Sequence, residues 1–255
     1  MKISIITVTF NSAKTLADTL ESVLHQDYDD YEYLVIDGGS KDSTVDIIKE
    51  YEPKFGGKMK WISERDKGMY DGINKGIRMA TGDVVGIINS DDFYHRTDIF
   101  QIINDSFTQN PDIQAIYGDV RFVNPDDLEK TVRYYSSKNF KPSKFRWGWM
   151  PAHPSFFTYK ENFEKYGYYQ IDYHIAADYE LLIRFLYTNK LTAMYVPMDF
   201  MKMRTGGRST NGLKANITLN KEIVRACREN GIYTNMPMLF LKYFVKVFEL
   251  IKTKN

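Results

Sequence analysis

Apolar and polar positions follow two rhythms along the first half of this chain. Ile3 to Thr9 is rich in β-branched residues, as a buried strand requires. After Asn11 and Ser12, either of which can cap a helix, Leu16, Leu20, Val23 and Leu24 fall at helical spacing. Glu32 to Asp37 repeats the strand signature and stops at Gly38-Gly39-Ser40, and Asp42-Ser43-Thr44 then opens a helix marked by Val45, Ile48 and Tyr51. Met59 to Ser63 predicts a third strand, and Ile73, Ile77 and Ala80 a third helix closed at Gly82. Asp83 to Asn89 reads as a fourth strand running into Ser90-Asp91-Asp92, followed by a helix over Asp98 to Gln109 and a strand over Ile113 to Tyr117. Such alternation predicts an α/β fold with a mostly parallel central sheet flanked by helices.

Beyond residue 120 the rhythm fades. Tyr134, Tyr135, Phe140, Phe145, Trp147 and Trp149 follow no clean period, so 120–150 reads as irregular. Regular structure resumes with a strand over Ser155 to Tyr159, a helix over Asp178 to Leu186 and a strand over Leu191 to Val196. Arg204 to Gly212, with three glycines, reads as a mobile loop before helices over Leu213 to Asn230 and Pro237 to Lys252. The expected division is an α/β domain over 1–205, with halves 1–118 and 119–205, and an extension of loop and C-terminal helices over 206–255. In the last helix Leu239, Phe240, Tyr243, Phe244, Val247, Phe248 and Ile251 share one face, interleaved with lysines. That face of 236–252 suits a membrane interface, the α/β domain itself or a second subunit in a homodimer.

Composition narrows the classes. The 255 residues are 43% hydrophobic and 26% charged, enough to fill a core. A net charge of +1 argues against nucleic acid as a partner. The single cysteine, Cys227, excludes an internal disulfide and fits a reducing compartment. The first ten residues are too short and too alternating for a signal peptide, and no apolar run reaches the roughly 20 residues that span a bilayer. A cytoplasmic protein is expected, either free or peripheral on the inner membrane face. Aromatic residues reach 15%, which suits flat, partly polar ligands and also simple packing.

The chemistry sits where the strands end. In open parallel sheets ligands bind beyond the carboxyl ends of the strands. Those ends carry Thr9 and Asn11, then Asp37, then Glu64 and Asp66, then Asp91 and Asp92. Any one of them can serve a turn or a cap, but four successive strands feeding one rim form a constellation. Adjacent carboxylates repel unless a cation joins them. Oxygen ligands with open positions suit Mg²⁺ or Mn²⁺ shared with substrate phosphates, which points to a nucleoside diphosphate. No Walker-type or Gly-x-Gly-x-x-Gly loop is present, which weakens phosphoryl transfer and dinucleotide binding.

Six segments carry a family resemblance: Ser4 to Asn11, Val35 to Thr44, Asp66-Lys67-Gly68, Asn74 to Ile77, Ala80 to Asp83 and Ile88 to Asp92. In order and spacing they resemble glycosyltransferase family 2, a family with the GT-A fold. The likeness covers the first hundred residues and thins over 150–190 to His153 and Ala176-Ala177-Asp178. It implies an inverting transfer of sugar from a nucleotide-diphosphate donor, typically a UDP-sugar. The acceptor would be a hydroxyl of a glycan or lipid-linked molecule, in cell-surface polysaccharide biosynthesis, with a divalent cation (Mn²⁺ or Mg²⁺) as cofactor.

Residue by residue, the resemblance implies that Thr9 and Asp37 contact the base, with Asn11 on the same side. Asp66 approaches the base or ribose, and Asp91 the ribose or the metal-bound diphosphate. Asp92 and Asp91 are the metal-ligand candidates. Family members commonly carry Asp where this chain has Asn89, which leaves open which of the two ligates directly. Asp178 becomes the catalytic base that deprotonates the acceptor; the alternative is an acidic residue in a helix first turn, where negative charge is welcome. His153, between Ala152 and Pro154, either touches diphosphate, metal or acceptor or is a structural histidine of a turn. Arg208 either closes over the donor phosphates with its loop or belongs to an ordinary surface loop. His25, His95 and His174 lack the spacing of a zinc site. Two rivals remain. A sugar-nucleotide pyrophosphorylase would want a Gly-rich basic loop where Phe10 to Lys14 stands, and a non-catalytic nucleotide-sugar or glycan-binding module would need no placed base.

Overall fold

The computed structural model describes residues 1–206 and 213–240. Strands β1 (Ile3–Thr9), β2 (Tyr31–Asp37), β3 (Met59–Ser63) and β4 (Val84–Ile87) lie parallel in the order β3-β2-β1-β4. Helices α1 (Leu16–Leu24), α2 (Thr44–Tyr51) and α3 (Met69–Met79) connect them, as the apolar rhythm predicts. β1 and β2 pair along their whole length, from Ile3 with Tyr31 to Thr9 with Asp37, so two of the expected rim residues end level.

After β4 the nine-stranded sheet becomes mixed. The chain continues through β5 (Phe93–Tyr94), α4 (Ile99–Gln109), β6 (Ala115–Asn124), β7 (Asp127–Tyr135), β8 (Phe157–Tyr159), α5 (Lys160–Tyr166), α6 (Ala177–Ile183), β9 (Ala193–Arg204) and α7 (Leu213–Glu229). β8 runs antiparallel between β4 and β6, β6 and β9 are parallel, and β7 hangs on β6 as an antiparallel arm. The hairpin of β6 and β7 corrects the expectation of an irregular 120–150. β7 is exposed at nearly every position, so it carries no alternation of apolar and polar residues. β9 likewise runs on to Arg204, eight residues past the expected end at Val196.

One packing contact sets the geometry of the rim. A Cβ on Gly72 would collide with Val8, and one on Gly76 would stand 2.5 Å from Ile6 Cγ2. Helix α3 therefore rests its own backbone at Gly72 and Gly76 directly on the side chains of β1 and β2. Its first turn, and the Asp66–Gly68 loop before it, are held against the ends of both strands.

Two apolar clusters cover the faces of the sheet. Ile3, Ile5, Tyr33 and Val35 point to the α1 side with Leu16, Leu20 and Val23. Ile6, Leu34 and Ile36 point to the α3 side with Ile73 and Ile77. Ile223, Ala226, Cys227, Ile232 and Leu239 are buried in this second cluster. The described C-terminal residues thus contribute to the same apolar cluster as α3 and the sheet. Residues 236–240 are helical, with Leu239 buried; the rest of the apolar face expected through 252 lies outside the described residues. Among the described residues no helix is long and apolar enough to cross a membrane.

Opposite the rim, Glu32 locks the start of the sheet. It is 3% exposed. Its carboxylate accepts hydrogen bonds from Ser4 Oγ (2.7 Å), Thr81 N (2.5 Å) and Thr81 Oγ1 (2.9 Å), with Lys2 Nζ at 3.4 Å. Burial alone would raise its pKa, but these hydrogen bonds and Lys2 together bring it down to about 2. A lowered carboxylate contributes stability above its unfolded pKa and loses it as pH falls. Glu32→Gln is expected to cost about 2 kcal/mol at pH 7. In urea titrations the gap from wild type should shrink between about pH 5 and pH 2.

Candidate active site

The nucleotide side of the rim is built on the paired ends of β1 and β2. Asp37 is fully buried. Its Oδ2 accepts from Gly39 N (3.1 Å), Ser40 N (3.0 Å) and Ser63 Oγ (2.6 Å), and its Oδ1 from the Ser40 hydroxyl. The carboxylate thereby folds the 38–40 turn and ties β2 to β3. Asn11 adopts a left-handed backbone (φ 52°), which asparagine tolerates. Its side chain accepts Lys41 N at 2.8 Å and its own N–H donates to Ser40 Oγ at 2.7 Å, so the two loops form one wall. Thr9 is 2% exposed, and its hydroxyl has no hydrogen-bond partner among the described residues. A buried hydroxyl is rarely left that way unless a water or a ligand meets it. Phe10, beside it, is 46% exposed.

Asp66 closes this wall from above. A Cβ on Gly38 would stand 2.8 Å from Asp66 Oδ2, so the missing side chain at Gly38 makes room for the carboxylate. Asp66 Oδ1 accepts Gly68 N at 2.9 Å, which fixes the entry to α3.

Asp91 and Asp92 form a second corner, and their environments differ. Asp92 is 1% exposed. Its Oδ2 accepts Asn89 Nδ2 at 2.9 Å, and its backbone carbonyl accepts Thr19 Oγ1 at 2.7 Å. The amide at position 89 therefore supports Asp92; an aspartate there would face it with like charge. Asp91 is partly exposed, toward the rim. Arg204, at the end of β9, donates Nη1 to the Asp91 carbonyl at 2.5 Å and pairs with Asp18 of α1. This guanidinium is a cation for the acidic pair supplied by the chain itself. Burial raises the pKa of Asp91 against the opposing pull of Arg204. Burial and then Asp91 raise that of Asp92 well above its ordinary value, against Asn89 and Arg204. Among the described residues no three His, Cys, Asp or Glu side chains cluster as a metal cage. Two carboxylates with open positions still fit Mg²⁺ or Mn²⁺, which take one or two protein carboxylates and fill the rest with phosphate and water.

The third corner is Asp178, in the first turn of α6. Burial pushes its carboxyl up to about 6, with Glu222 adding to the rise against backbone N–H groups of Tyr179 and its own residue. Tyr70 of α3 and Tyr169 stack beside it, ring centroids 5.8 Å apart and planes 11° apart. Tyr70 donates to the Ile175 carbonyl at 2.5 Å. Asn74 holds the backbone of Tyr169 at both N–H (2.9 Å) and carbonyl (2.8 Å). His153 Nε2 meets the Tyr169 hydroxyl at 2.6 Å, and burial lowers the ring to about 4. His153 is thus a neutral ring hydrogen-bonded to Tyr169.

The profile of Glycosyl transferase family 2 matches residues 4–167. The chain belongs to this family. Over 185 residues, 71% of this glycosyltransferase and 68% of the relative, it is 33% identical to an uncharacterized glycosyltransferase of Mycobacterium tuberculosis. Over 193 residues, 76% of this chain and 73% of the relative, it is 26% identical to a PGL/p-HBAD biosynthesis glycosyltransferase of Mycobacterium bovis. Among solved structures, Staphylococcus aureus TarS 1–349 in complex with UDP superposes with a TM-score of 0.67 at 17% identity, over 91% of this chain and 67% of that one. The chain spans 40% of the longer TarS structure. The mannosyltransferase PcManGT of Pyrobaculum calidifontis, in complex with GDP-Man and Mn²⁺, gives 0.63 at 17% identity, over 97% and 80%. These likenesses show a GT-A fold. Membership in a transferase family sets aside the pyrophosphorylase-like and non-catalytic readings.

Phe10, Tyr70, Tyr169, Arg204 and Glu222 join the rim without having been expected there. Phe10 alone had a signal, an aromatic residue directly after a buried strand. The others act through contacts between distant segments. Arg208 lies outside the described residues. The orphaned hydroxyl of Thr9 generates a direct test. Thr9→Val is expected to leave Tm unchanged or slightly higher, since no internal hydrogen bond is lost. Calorimetry with Mn²⁺ should show UDP binding weakened by about 1 kcal/mol, roughly fivefold. Unaltered UDP affinity would remove Thr9 from the nucleotide wall.

Proposed function

We propose that this glycosyltransferase moves a sugar, with inversion, from a nucleotide-diphosphate donor of the UDP type to a hydroxyl of a glycan or lipid-linked acceptor, in cell-surface polysaccharide assembly. The observation that carries this reading is Asp178, a half-buried carboxyl raised to about 6 in the first turn of α6 of a family 2 chain. A carboxyl so placed is ionised at neutral pH yet basic enough to accept a proton.

Thr9, Phe10 and Asp66 meet the nucleoside: the Thr9 hydroxyl gains its missing partner, and the Phe10 ring lies against the base. Asn11 and Asp37 act on the same side by shaping the wall. Asp91 is the metal ligand, and Asp92 beneath it holds the Asp91 loop through Asn89 and Thr19. The cation, when bound, offsets charge on the departing diphosphate. Support for a donor of this class comes from TarS, solved with UDP and with UDP-GlcNAc, and from PcManGT with GDP-Man and Mn²⁺. In the transfer the acceptor oxygen bonds to the anomeric carbon while the bond from that carbon to the β-phosphate oxygen breaks. The hydroxyl proton passes to Asp178, and the nucleoside diphosphate leaves with the bonding pair. The lysine-interleaved apolar sequence of 240–252, past the buried Leu239, supports a cytoplasmic enzyme peripheral to the membrane, beside lipid-linked acceptors.

Asp178→Asn is expected to lower kcat by at least about 10³-fold, with UDP affinity unchanged. In the wild type, kcat should fall below about pH 6 as the carboxylate takes up its proton. The same variant tests the cost of the site. A carboxyl whose folded pKa is raised destabilises the fold as pH climbs from its unfolded value to its folded one, and fully above that. Asp178→Asn should therefore gain up to about 3 kcal/mol at pH 7.5, seen as a higher Tm, with the gain fading near pH 4. Sustained turnover in the variant, with any donor and acceptor, would rule out Asp178 as the base.

A further inference from the structure

Helix α6 begins with an unusual allocation of its backbone donors. The first N–H groups of a helix have no partner within it, and a nearby carboxylate normally takes them. Asp178 stands in that first turn, and Ala176, at the cap position, has no side-chain acceptor. Yet the donors go elsewhere. His174 N donates to Glu222 Oε1 at 2.8 Å, and Ile175 N and Ala176 N both donate to Glu222 Oε2 at 2.9 Å. The N–H groups of Ala177 and Asp178 face the Tyr70 oxygen. Asp178 itself accepts from Tyr179 N at 2.7 Å. From Glu180 N, bonded to the Ala176 carbonyl at 3.0 Å, the helical ladder takes over.

We propose that Glu222 is a positioning residue for the catalytic base: by accepting the three N–H groups just ahead of α6 from a different helix, it holds the start of α6 and keeps Asp178 in its half-buried place with a like charge near it. The inference rests on the reading of Asp178 as the base. A carboxylate that gathers further backbone N–H groups loses proton affinity and becomes too weak a base for proton transfer. Asp178 already accepts from its own turn, and burial, with Glu222 adding to it, outweighs those bonds.

The helix that carries Glu222 is built to hold it there. Ile223, Ala226 and Cys227 anchor α7 in the core. Glu229 accepts the Tyr173 hydroxyl at 2.7 Å, and Arg225 bridges Glu229 and Asp172. α7 therefore grips the 172–176 segment at three places, and Glu222 is 8% exposed at the last of them. The other groups around Asp178 do not supply a competing charge. Tyr70 and Tyr169 are neutral, pushed far above their usual range by burial, and His153 is neutral behind Tyr169. On α6 itself, Glu180 is paired with Arg184 at 2.8 Å. Glu222 is the carboxylate that acts on Asp178 from outside its own helix.

The test is a ¹³C NMR titration of the full chain labelled at aspartate carboxyls, with the Asp178 signal assigned by its loss in Asp178→Asn. The wild-type signal is expected to titrate near 6. In Glu222→Gln, which keeps the shape but frees a donor and removes the charge, the midpoint should drop by about one pH unit or more. Glu222→Asp keeps the charge but shortens the reach, so it too should drop; it also serves if the Gln variant does not fold. UDP binding with Mn²⁺ should stay within about twofold of wild type in both, since Glu222 lies outside the nucleotide wall. A wild-type midpoint near 6 that stays put in the variants overturns the role of Glu222 and leaves the base reading intact. A wild-type midpoint in the ordinary range near 4 overturns the poised base as well.

Discussion

Everything at the rim depends on how closely α3 lies on β1 and β2. With Gly72 and Gly76 against Val8 and Ile6, the helix axis sits lower than side chains at those two positions would allow. Its entry then delivers Asp66 over Gly38. Its first turn sends Tyr70 to the segment before α6, and its second sends Asn74 to the backbone of Tyr169. One interface thus sets the nucleotide wall and the surroundings of Asp178 together. Lifting the helix by one methyl group would disturb both.

The three acidic corners are handled by three different means. Asp37 has its charge spread over backbone and hydroxyl donors and becomes part of the frame. Asp91 and Asp92 lie in the field of the Arg204 guanidinium, which opposes the rise that burial imposes on both. At Asp178 burial, with the like charge of Glu222 adding to it, outweighs the backbone N–H groups that the carboxylate accepts. In a low-dielectric rim such differences in partners, rather than in residue type, separate frame, ligand and base.

Much of this was legible in the chain. The β-branched runs fixed β1, β2 and β4, and each ends in the polar residue that the rim requires. The spacing of Asp37, Asp66 and Asp91-Asp92 also announced the family. What stayed hidden has a common physical cause. β7 is wet on both faces, so it has no alternation to read. Glu222 caps a segment 46 to 48 residues earlier, and Arg204 reaches Asp91 across 113. No local pattern encodes a contact of that kind. Asn89 looked like a lost metal ligand, but it is an amide support for Asp92, a role that depends on a side-chain direction that spacing does not give.

β7 has a consequence beyond the site. Among the described residues it pairs with β6 along one side only, which leaves backbone donors and acceptors on its other side without a strand partner. An open strand of this kind is a template on which another chain can crystallise into a continuous sheet. Asp127, Glu129, Lys130 and Arg133 stud it with mixed charge, and Glu129 is further tied to Lys202 at 2.9 Å. These residues make the hairpin a guarded margin: its sequence is shaped less by what it touches than by the copies of itself that it must refuse.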